Sequence, residues 1–448
     1  RAAALAQYVL CRRTLVDELG VEPEPATTAL YEQIRNGSFA SQPNWPGDTV
    51  KPEAIMPEQE APNPPLPVAP PSVGNQPIAH NLPSQLTPFI GREAEISELY
   101  TNLLNPTHRL VTLVGEGGVG KTRLALAVAQ TVLDARSALL DHPTAKSPTP
   151  QFDGVWFVPL SGMTVTGDLT DQLATAVAKA VGWQFSGRQP LLDQLTTYLR
   201  HETLLLLFDN AEHLLPDIGN FLLPLLQNCP HIKLLVTSRH ILNLQAEVVW
   251  RVSGLAVPAG PEQVSLTPAE LTNYSSIALF VERASRIQRG FQVTAENARA
   301  IAVICQLVEG LPLAIELAAA LTKQYTCPEL YAALQRDYSI LAVNFSDLSP
   351  RHRSIQAMLD YSWRFLTPEE ASVLAACSIC VGGFTLAAAS AVTGATPAIL
   401  ARLIDQSLLQ AHAGRFIMHE LVRQYAAVQL VRQPEHQAAS LARHAAYY

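Results

Sequence analysis

The chain of 448 residues reads as an α/β protein of the P-loop NTPase type, a parallel sheet with flanking helices followed by an all-α region. Three observations predict this. From Leu110 onward, strand-length apolar runs alternate with amphipathic helical stretches. A glycine-rich loop, Gly115–Thr122, lies between the first of those runs and the first of those helices. Beyond Pro268 no apolar strand recurs, and the periodicity becomes helical. Strands that are apolar on both faces and joined through helices form parallel sheets covered on both sides.

Composition sets the outer limits. A chain this long predicts roughly two to four packed units. Hydrophobic residues make up 48% and charged residues 16%, which suits a protein with a large buried core. The net charge of −8 argues against a surface built for non-specific nucleic-acid binding. No signal peptide opens the sequence, and no apolar run approaches membrane-spanning length; Leu204–Phe208 is only strand-sized. A cytoplasmic protein without membrane contact is expected. The first residue reads as mid-helix, so a fragment of something longer is also expected.

The elements follow in order. Residues 1–39 carry two helical patterns. The first, Ala2–Leu19, sets Leu5, Tyr8, Val9, Arg12, Leu15, Val16 and Leu19 along one face and is stopped by Gly20. Between Pro43 and Pro83, 12 of 41 residues are proline, which blocks helix and sheet ladders and predicts an extended linker over 40–82. Strands are expected at Arg109–Val114, Gly154–Leu160, Leu204–Phe208, Lys233–Thr237 and Val248–Val252. Helices are expected at Thr122–Leu133, Leu169–Val181 and Leu214–Gln227. These make a nucleotide-binding domain over 83–256. An all-helical domain over 257–345 comes next, then a helical domain with a hairpin around Gly414 over 346–433. A last helix, Gln437–Tyr448, opens a further region from 434.

Six cysteines are scattered along the chain, and Cys377 and Cys380 form a C-x-x-C. No second Cys/His pair sits at metal-ligand spacing, and Val373–Val381 is apolar and helix-like. Buried free thiols are therefore expected there, not a zinc or redox centre.

Gly115, Gly117, Gly118, Val119, Gly120, Lys121 and Thr122 belong to a match to G-x-x-x-x-G-K-S/T between strand and helix. The glycines let backbone N–H groups wrap phosphates, and the helix N-terminus adds its positive end. Lys121 is expected on the β and γ phosphates of ATP or ADP, and the Thr122 hydroxyl on Mg²⁺. Leu204–Asp209 is a buried strand ending in an acid, which makes Asp209 the expected second Mg²⁺ contact. Asn210 follows it where fast ATPases carry a second acid. Glu212 could take that role, so any hydrolysis is expected to be slow. Arg239, closing Thr237-Ser238-Arg239, could reach the γ-phosphate, or be an ordinary surface arginine.

Taken together, the motifs resemble the NB-ARC proteins, the STAND class of signal-transducing ATPases. The resemblance rests on Gly115–Thr122, Phe208-Asp209-Asn210-Ala211-Glu212-His213, Thr237-Ser238-Arg239, Gly310-Leu311-Pro312-Leu313 and Met418-His419-Glu420. Phe89-Ile90-Gly91-Arg92-Glu93 resembles the adenine-side entry motif of that class. Residues 1–35, with Glu18-Leu19-Gly20-Val21-Glu22-Pro23, resemble the end of a bacterial transcriptional activation domain, a pairing typical of SARP-type regulators.

The resemblance implies a switch in which ADP holds a closed state and a winged-helix domain over 346–433 acts as its lid. It implies nucleotide contacts from Gly91, Arg92 and Arg123, from Pro312 near the adenine, from His419 on the β-phosphate and from Arg239 on the γ-phosphate. Glu420 stands where the family has Asp. DNA and RNA polymerase would be reached through parts outside this sequence, and an inducer through the C-terminal region, with a monomer as the inactive form. The other readings left open are a P-loop motor or phosphotransferase and an immune-type scaffold that does not act on DNA.

Overall fold

The computed structural model describes residues 78–141, 152–163, 167–186, 188–258, 267–342 and 353–448. The chain divides into two units at Ser72/Val73, and everything below concerns the second. The helix pair and most of the proline-rich linker expected from the sequence lie outside the described residues.

Strand β1 (Ala79–His80) has two residues, and Asn81 prolongs it with its side chain. The Asn81 amide donates to the Phe157 carbonyl at 2.9 Å and accepts from the Phe157 N–H at 2.6 Å. Helix α1 (Glu93–Leu104) precedes β2 (Leu110–Val114), and the loop after β2 opens α2 (Lys121–Asp141). Then come β3 (Gly154–Pro159), α3 (Leu169–Val181), α4 (Leu191–Leu199) and β4 (Leu204–Asp209). Helix α5 (Gly219–Asn228) leads to β5 (Lys233–Ser238) and β6 (Glu247–Arg251). All six strands are parallel, in the order β1-β3-β4-β5-β2-β6.

Side chains alternate between the two faces of this sheet. Leu204, Leu206 and Phe208 of β4 pack with α3, α4 and α5, while Leu205 and Leu207 face the core shared with α1 and α2. Leu234 and Val236 of β5 follow the first group, and Leu235 the second. Two-faced burial explains why these strands read as unbroken apolar runs. Because β5 lies between β2 and β4, its carboxyl end stands between the glycine-rich loop and Asp209.

One expected helix is broken. Leu214–Gln227 is not continuous: a short 3₁₀ turn at Glu212–Leu214 precedes α5, which starts at Gly219. Pro216 lacks an N–H and disfavours the helical conformation in the residue before it, so the helix restarts beyond it.

The helical region comprises α6 (Pro268–Leu271), α7 (Ser275–Ile287), α8 (Ala298–Leu307), α9 (Pro312–Ala320) and α10 (Cys327–Arg336). It is followed by α11 (Ile355–Trp363), α12 (Pro368–Cys377), α13 (Leu386–Thr393) and α14 (Pro397–Asp405). A hairpin of β7 (Gln410–His412) and β8 (Arg415–Ile417) precedes α15 (Glu420–Val431) and α16 (Pro434–Tyr447). Threonine capping boxes start three of these helices, pairing Thr267 with Glu270, Thr326 with Glu329 and Thr367 with Glu370. Ala413 and Gly414 both have positive φ, as a tight hairpin turn requires.

Cys377 and Cys380 are buried with free thiols, and burial pushes both upward in pKa. Among the described residues no single helix is long and apolar enough to cross a membrane.

Gly310 shows how closely the helical region joins the sheet domain. It has φ +69°, and its carbonyl accepts from the Leu255 N–H at 2.8 Å. A Cβ there would lie 2.0 Å from the Leu255 carbonyl oxygen. Gly310→Ala therefore combines a left-handed backbone with a backbone clash and is expected to lower stability by about 2–4 kcal/mol, read by denaturant unfolding.

Candidate functional site

The phosphate loop is built from β2, which is buried at every residue, and α2, whose first residue is Lys121. Its glycines are demanded by crowding as well as by conformation. Gly118 and Gly120 have φ of +77° and +92°. A Cβ on Gly115 would come within 2.6 Å of the Val252 carbonyl oxygen. On Gly117 it would meet Arg239 Nη2 and Met358 Cγ, each at 2.8 Å, and on Gly118 it would meet Leu313 Cβ at 2.8 Å. Four distant segments thus press on one loop.

Lys121 Nζ donates to the carbonyls of Gly115 at 2.8 Å and Glu116 at 2.9 Å. Burial brings its pKa down to about 8, with the Glu212 carboxylate opposing and Arg239 assisting. The Glu116 carboxyl is pushed up by the same burial, against the nearby His419.

Asp209 Oδ1 accepts from Thr122 Oγ1 at 2.5 Å and from Thr237 Oγ1 at 2.7 Å. Thr237 Oγ1 in turn accepts from the Asn210 N–H at 2.9 Å. A hydroxyl and a carboxylate therefore meet beside the phosphate loop at the carboxyl edge of the sheet. Hard oxygen donors of this kind suit Mg²⁺, so Thr122 and Asp209 fit a magnesium–phosphate group.

A cavity of about 240 Å³ opens over the loop. Gly117–Arg123 line one side, Phe89, Ile90, Leu255 and Leu279 form apolar wall, and Pro312, Leu313 and Glu316 come from the start of α9. Arg92 secures the entry segment: Nη2 donates to the Val119 carbonyl at 3.0 Å and the Ser253 carbonyl at 2.6 Å, and Nη1 to Glu95 at 3.1 Å. Gly91, at φ +70°, packs against Ser275, leaving no room for a Cβ. Arg123 donates to the carbonyls of Thr87 and Pro88, both at 2.9 Å, and lies over the Phe89 ring at 5.7 Å. The Leu313 N–H donates to the Gly118 carbonyl at 3.2 Å, binding α9 to the loop.

Arg239 is only 5% exposed and joins the sheet domain to the later helices. Its Nε pairs with Glu212 Oε1 at 3.2 Å, its Nη1 donates to Ser362 Oγ, and its guanidinium lies 4.8 Å over the Tyr361 ring. Its carbonyl accepts from Ser407 Oγ at 3.0 Å. Glu212, also 5% exposed, leaves Oε2 buried with no partner among the described residues. Both residues line the cavity.

The structure brings Gly117, Gly118, Val119, Gly120, Lys121, Thr122, Arg123, Arg92, Glu212, Arg239 and Pro312 to that cavity, with Asp209 beside it. Gly115 and His419 line a neighbouring cavity of about 370 Å³, together with Glu116. His419 is 6% exposed and caps α15, its Nδ1 accepting from the Leu421 N–H at 3.1 Å. Its Nε2 lies 3.9 Å from Glu309 Oε2 and makes no hydrogen bond among the described residues. The sequence reading missed Thr237, Glu316, Met358 and Ser362 as parts of the site. Thr237, next to the Ser238-Arg239 pair, carried the only local signal.

A model for the AAA ATPase domain matches residues 88–236, and one for the bacterial transcriptional activator domain matches residues 1–35. The uncharacterized protein Rv0894 of Mycobacterium tuberculosis is 30% identical over 372 residues, covering 80% of this chain and 85% of that protein. The chain belongs to the same family as this protein, and it joins part of a bacterial transcriptional activator domain to a P-loop ATPase domain. The putative HTH-type transcriptional regulator Rv0890c of the same organism is 32% identical over 352 residues, 76% of this chain and 36% of its own. The regulatory protein AfsR of Streptomyces griseus is 28% identical over 442 residues, 95% of this chain and 39% of its own. The chain thus spans little more than a third of the length of these regulators. In this chain the loop is crowded by Leu313 of α9 and Met358 of α11, which lie against Gly118 and Gly117.

Lys121 gives this site a pH signature. Its folded pKa of about 8 lies below the ordinary 10.5, so charging it costs stability in full below pH 8. That cost is relieved as pH rises from 8 towards 10.5. Lys121→Met is expected to be more stable than the parent at pH 7, with the gap closing by pH 10 in denaturant titrations. A pH-independent gap would contradict the burial argument.

Proposed function

We propose that this chain is the nucleotide switch of a bacterial transcriptional regulator, with ADP favouring a closed form and exchange for ATP an open one. The observation that carries this reading is the buried Arg239, which ties a residue beside the phosphate loop to helix α11 of the C-terminal region. Met358 of the same helix packs on Gly117 and Gly118, so residues 353–433 serve as a winged-helix lid over the phosphates.

In this reading the phosphate loop, Lys121 and α2 hold the phosphates, and the apolar wall with Pro312 holds the adenine. Thr122 and Asp209 would hold Mg²⁺, which when bound neutralises charge between phosphate oxygens. Lys121 leaves the carbonyls of Gly115 and Glu116 to bind phosphate, so affinity weakens as pH rises past 8. Arg239 reaches the γ-phosphate only by giving up Glu212 and Ser362, which releases α11. Glu212, paired with Arg239, is not free to polarise water in the closed form, which supports slow hydrolysis used for resetting. His419, in the adjoining cavity, senses the same loop through Glu116. The protein acts in the cytoplasm as a monomer when closed. DNA and RNA polymerase are met through parts outside this sequence, and the inducer through the C-terminal region.

The test begins with the full chain denatured and its released nucleotide separated by chromatography. Stoichiometric ADP is expected from the parent and none from Lys121→Ala. Arg239→Ala is expected to release ADP at least tenfold faster and to expand in solution scattering with its fold intact by circular dichroism. A site without nucleotide that turns ATP over faster than about 1 s⁻¹, at the low end of ordinary kinases, would instead mark an enzyme.

A further inference from the structure

We propose that Glu316 reads the sugar of the nucleotide, so that the site selects ribonucleotides over nucleotides lacking the 2′ and 3′ hydroxyls. This rests on the nucleotide-binding reading above and names the part of the ligand that a specific side chain recognises.

Glu316 lies on α9 one turn beyond Pro312 and Leu313, the residues that touch the phosphate loop at Gly120 and Gly118. One helical turn advances about 5.4 Å, comparable to the step from a phosphate to the sugar it esterifies. The carboxylate lines the same cavity as Lys121 and Thr122, and Arg123 and Phe89 line that cavity with it.

Its two oxygens have different surroundings. Oε1 accepts from Arg283 Nε at 3.0 Å and Nη2 at 2.9 Å, and lies 3.5 Å from Arg123 Nη1. Oε2 makes no hydrogen bond among the described residues. The side chain is partly exposed, and Oε2 is not among the buried atoms left without a partner. One oxygen is thus anchored, and the other, on a side chain that lines the cavity, has no partner among the described residues.

The anchor itself is braced. Arg283 also pairs with Glu282 and donates to Thr87 Oγ1 at 3.3 Å, while Arg123 donates to the Thr87 and Pro88 carbonyls. Glu316 is therefore fixed against the entry segment on one side and α2 on the other. A braced carboxylate with a free oxygen is an acceptor-only group, and its natural partner is a hydroxyl donor. Dinucleotide-binding folds place an acid on the ribose hydroxyls for the same physical reason.

The competing explanation is purely structural, with Glu316 only neutralising Arg283 and Arg123. Binding of ATP and of 2′,3′-dideoxy-ATP to the full chain, measured by calorimetry after removal of bound nucleotide, separates the two. The parent is expected to bind ATP about tenfold more tightly than the dideoxy analogue, as a charge-assisted hydrogen bond warrants. Glu316→Gln is expected to weaken ATP by about that factor and the analogue hardly at all, erasing the discrimination. Arg283→Lys, which retains a positive charge but loosens the anchor, is expected to reduce the discrimination partially.

Equal affinities in the parent would overturn the proposal. So would a Glu316→Gln variant that weakens both nucleotides alike, the mark of a structural role. If neither nucleotide binds the parent, the nucleotide reading itself fails, and the sugar reading with it.

Discussion

A guanidinium cannot be buried without acceptors to meet its five N–H groups and a charge to balance its own. Arg239 obtains these from parts of the chain far apart in sequence: Glu212 from the turn after β4, Ser362 and the Tyr361 ring from α11. Burial of Glu212 is tolerable only because Arg239 lies against it. Breaking such a pair by removing one partner typically costs about 3–5 kcal/mol, more than replacing both. One of the contacts between the sheet and the C-terminal helices therefore depends on charge balance at Arg239, and that residue lines the phosphate cavity.

The same economy of space governs the phosphate loop. In isolation a G-x-x-x-x-G-K-T loop needs its glycines so that the backbone can wrap phosphate. Here each of three glycines also faces a specific neighbour: Val252 for Gly115, Arg239 and Met358 for Gly117, and Leu313 for Gly118. The neighbours come from the segment after β6, the end of β5, α11 and α9. The loop is thus enclosed by elements that differ in how strongly the core holds them. Leu313 is tied by a backbone hydrogen bond to Gly118, whereas Met358 is held by side-chain packing and by the Ser362–Arg239 contact.

What could be read from the sequence follows the range of the interactions. Gly115–Thr122 was legible because its chemistry is local, and Asp209 because a two-faced apolar strand ending in an acid marks a sheet edge. The strands were legible because burial on both faces removes all polar alternation from them. The break at Pro216 was a local signal overridden by the apolar periodicity around it. Arg239 could be suspected, but Ser362, 123 residues away, carries no mark that it would accept from it. His419 was expected at the phosphates by resemblance; it caps α15 and lines the neighbouring cavity with Glu116. Glu316 sits in an alanine- and leucine-rich helix, where nothing local distinguishes a braced carboxylate from a solvated one.

These features make the phosphate site and the packing of the chain a single problem. Lys121 is held by loop carbonyls and by burial, Asp209 by two threonines, and Arg239 by Glu212 after β4 and Ser362 of α11. A group that enters the loop competes first for Lys121, which costs only two hydrogen bonds to carbonyls. Competition for Arg239 is different in kind, because it leaves Glu212 buried with neither carboxylate oxygen paired. An uncompensated buried carboxylate is unfavourable, so it must take up a proton, gain a new partner or be reached by water. Whatever draws Arg239 away therefore removes the partner of Glu212 and the Ser362 contact of α11 together, because one guanidinium serves both.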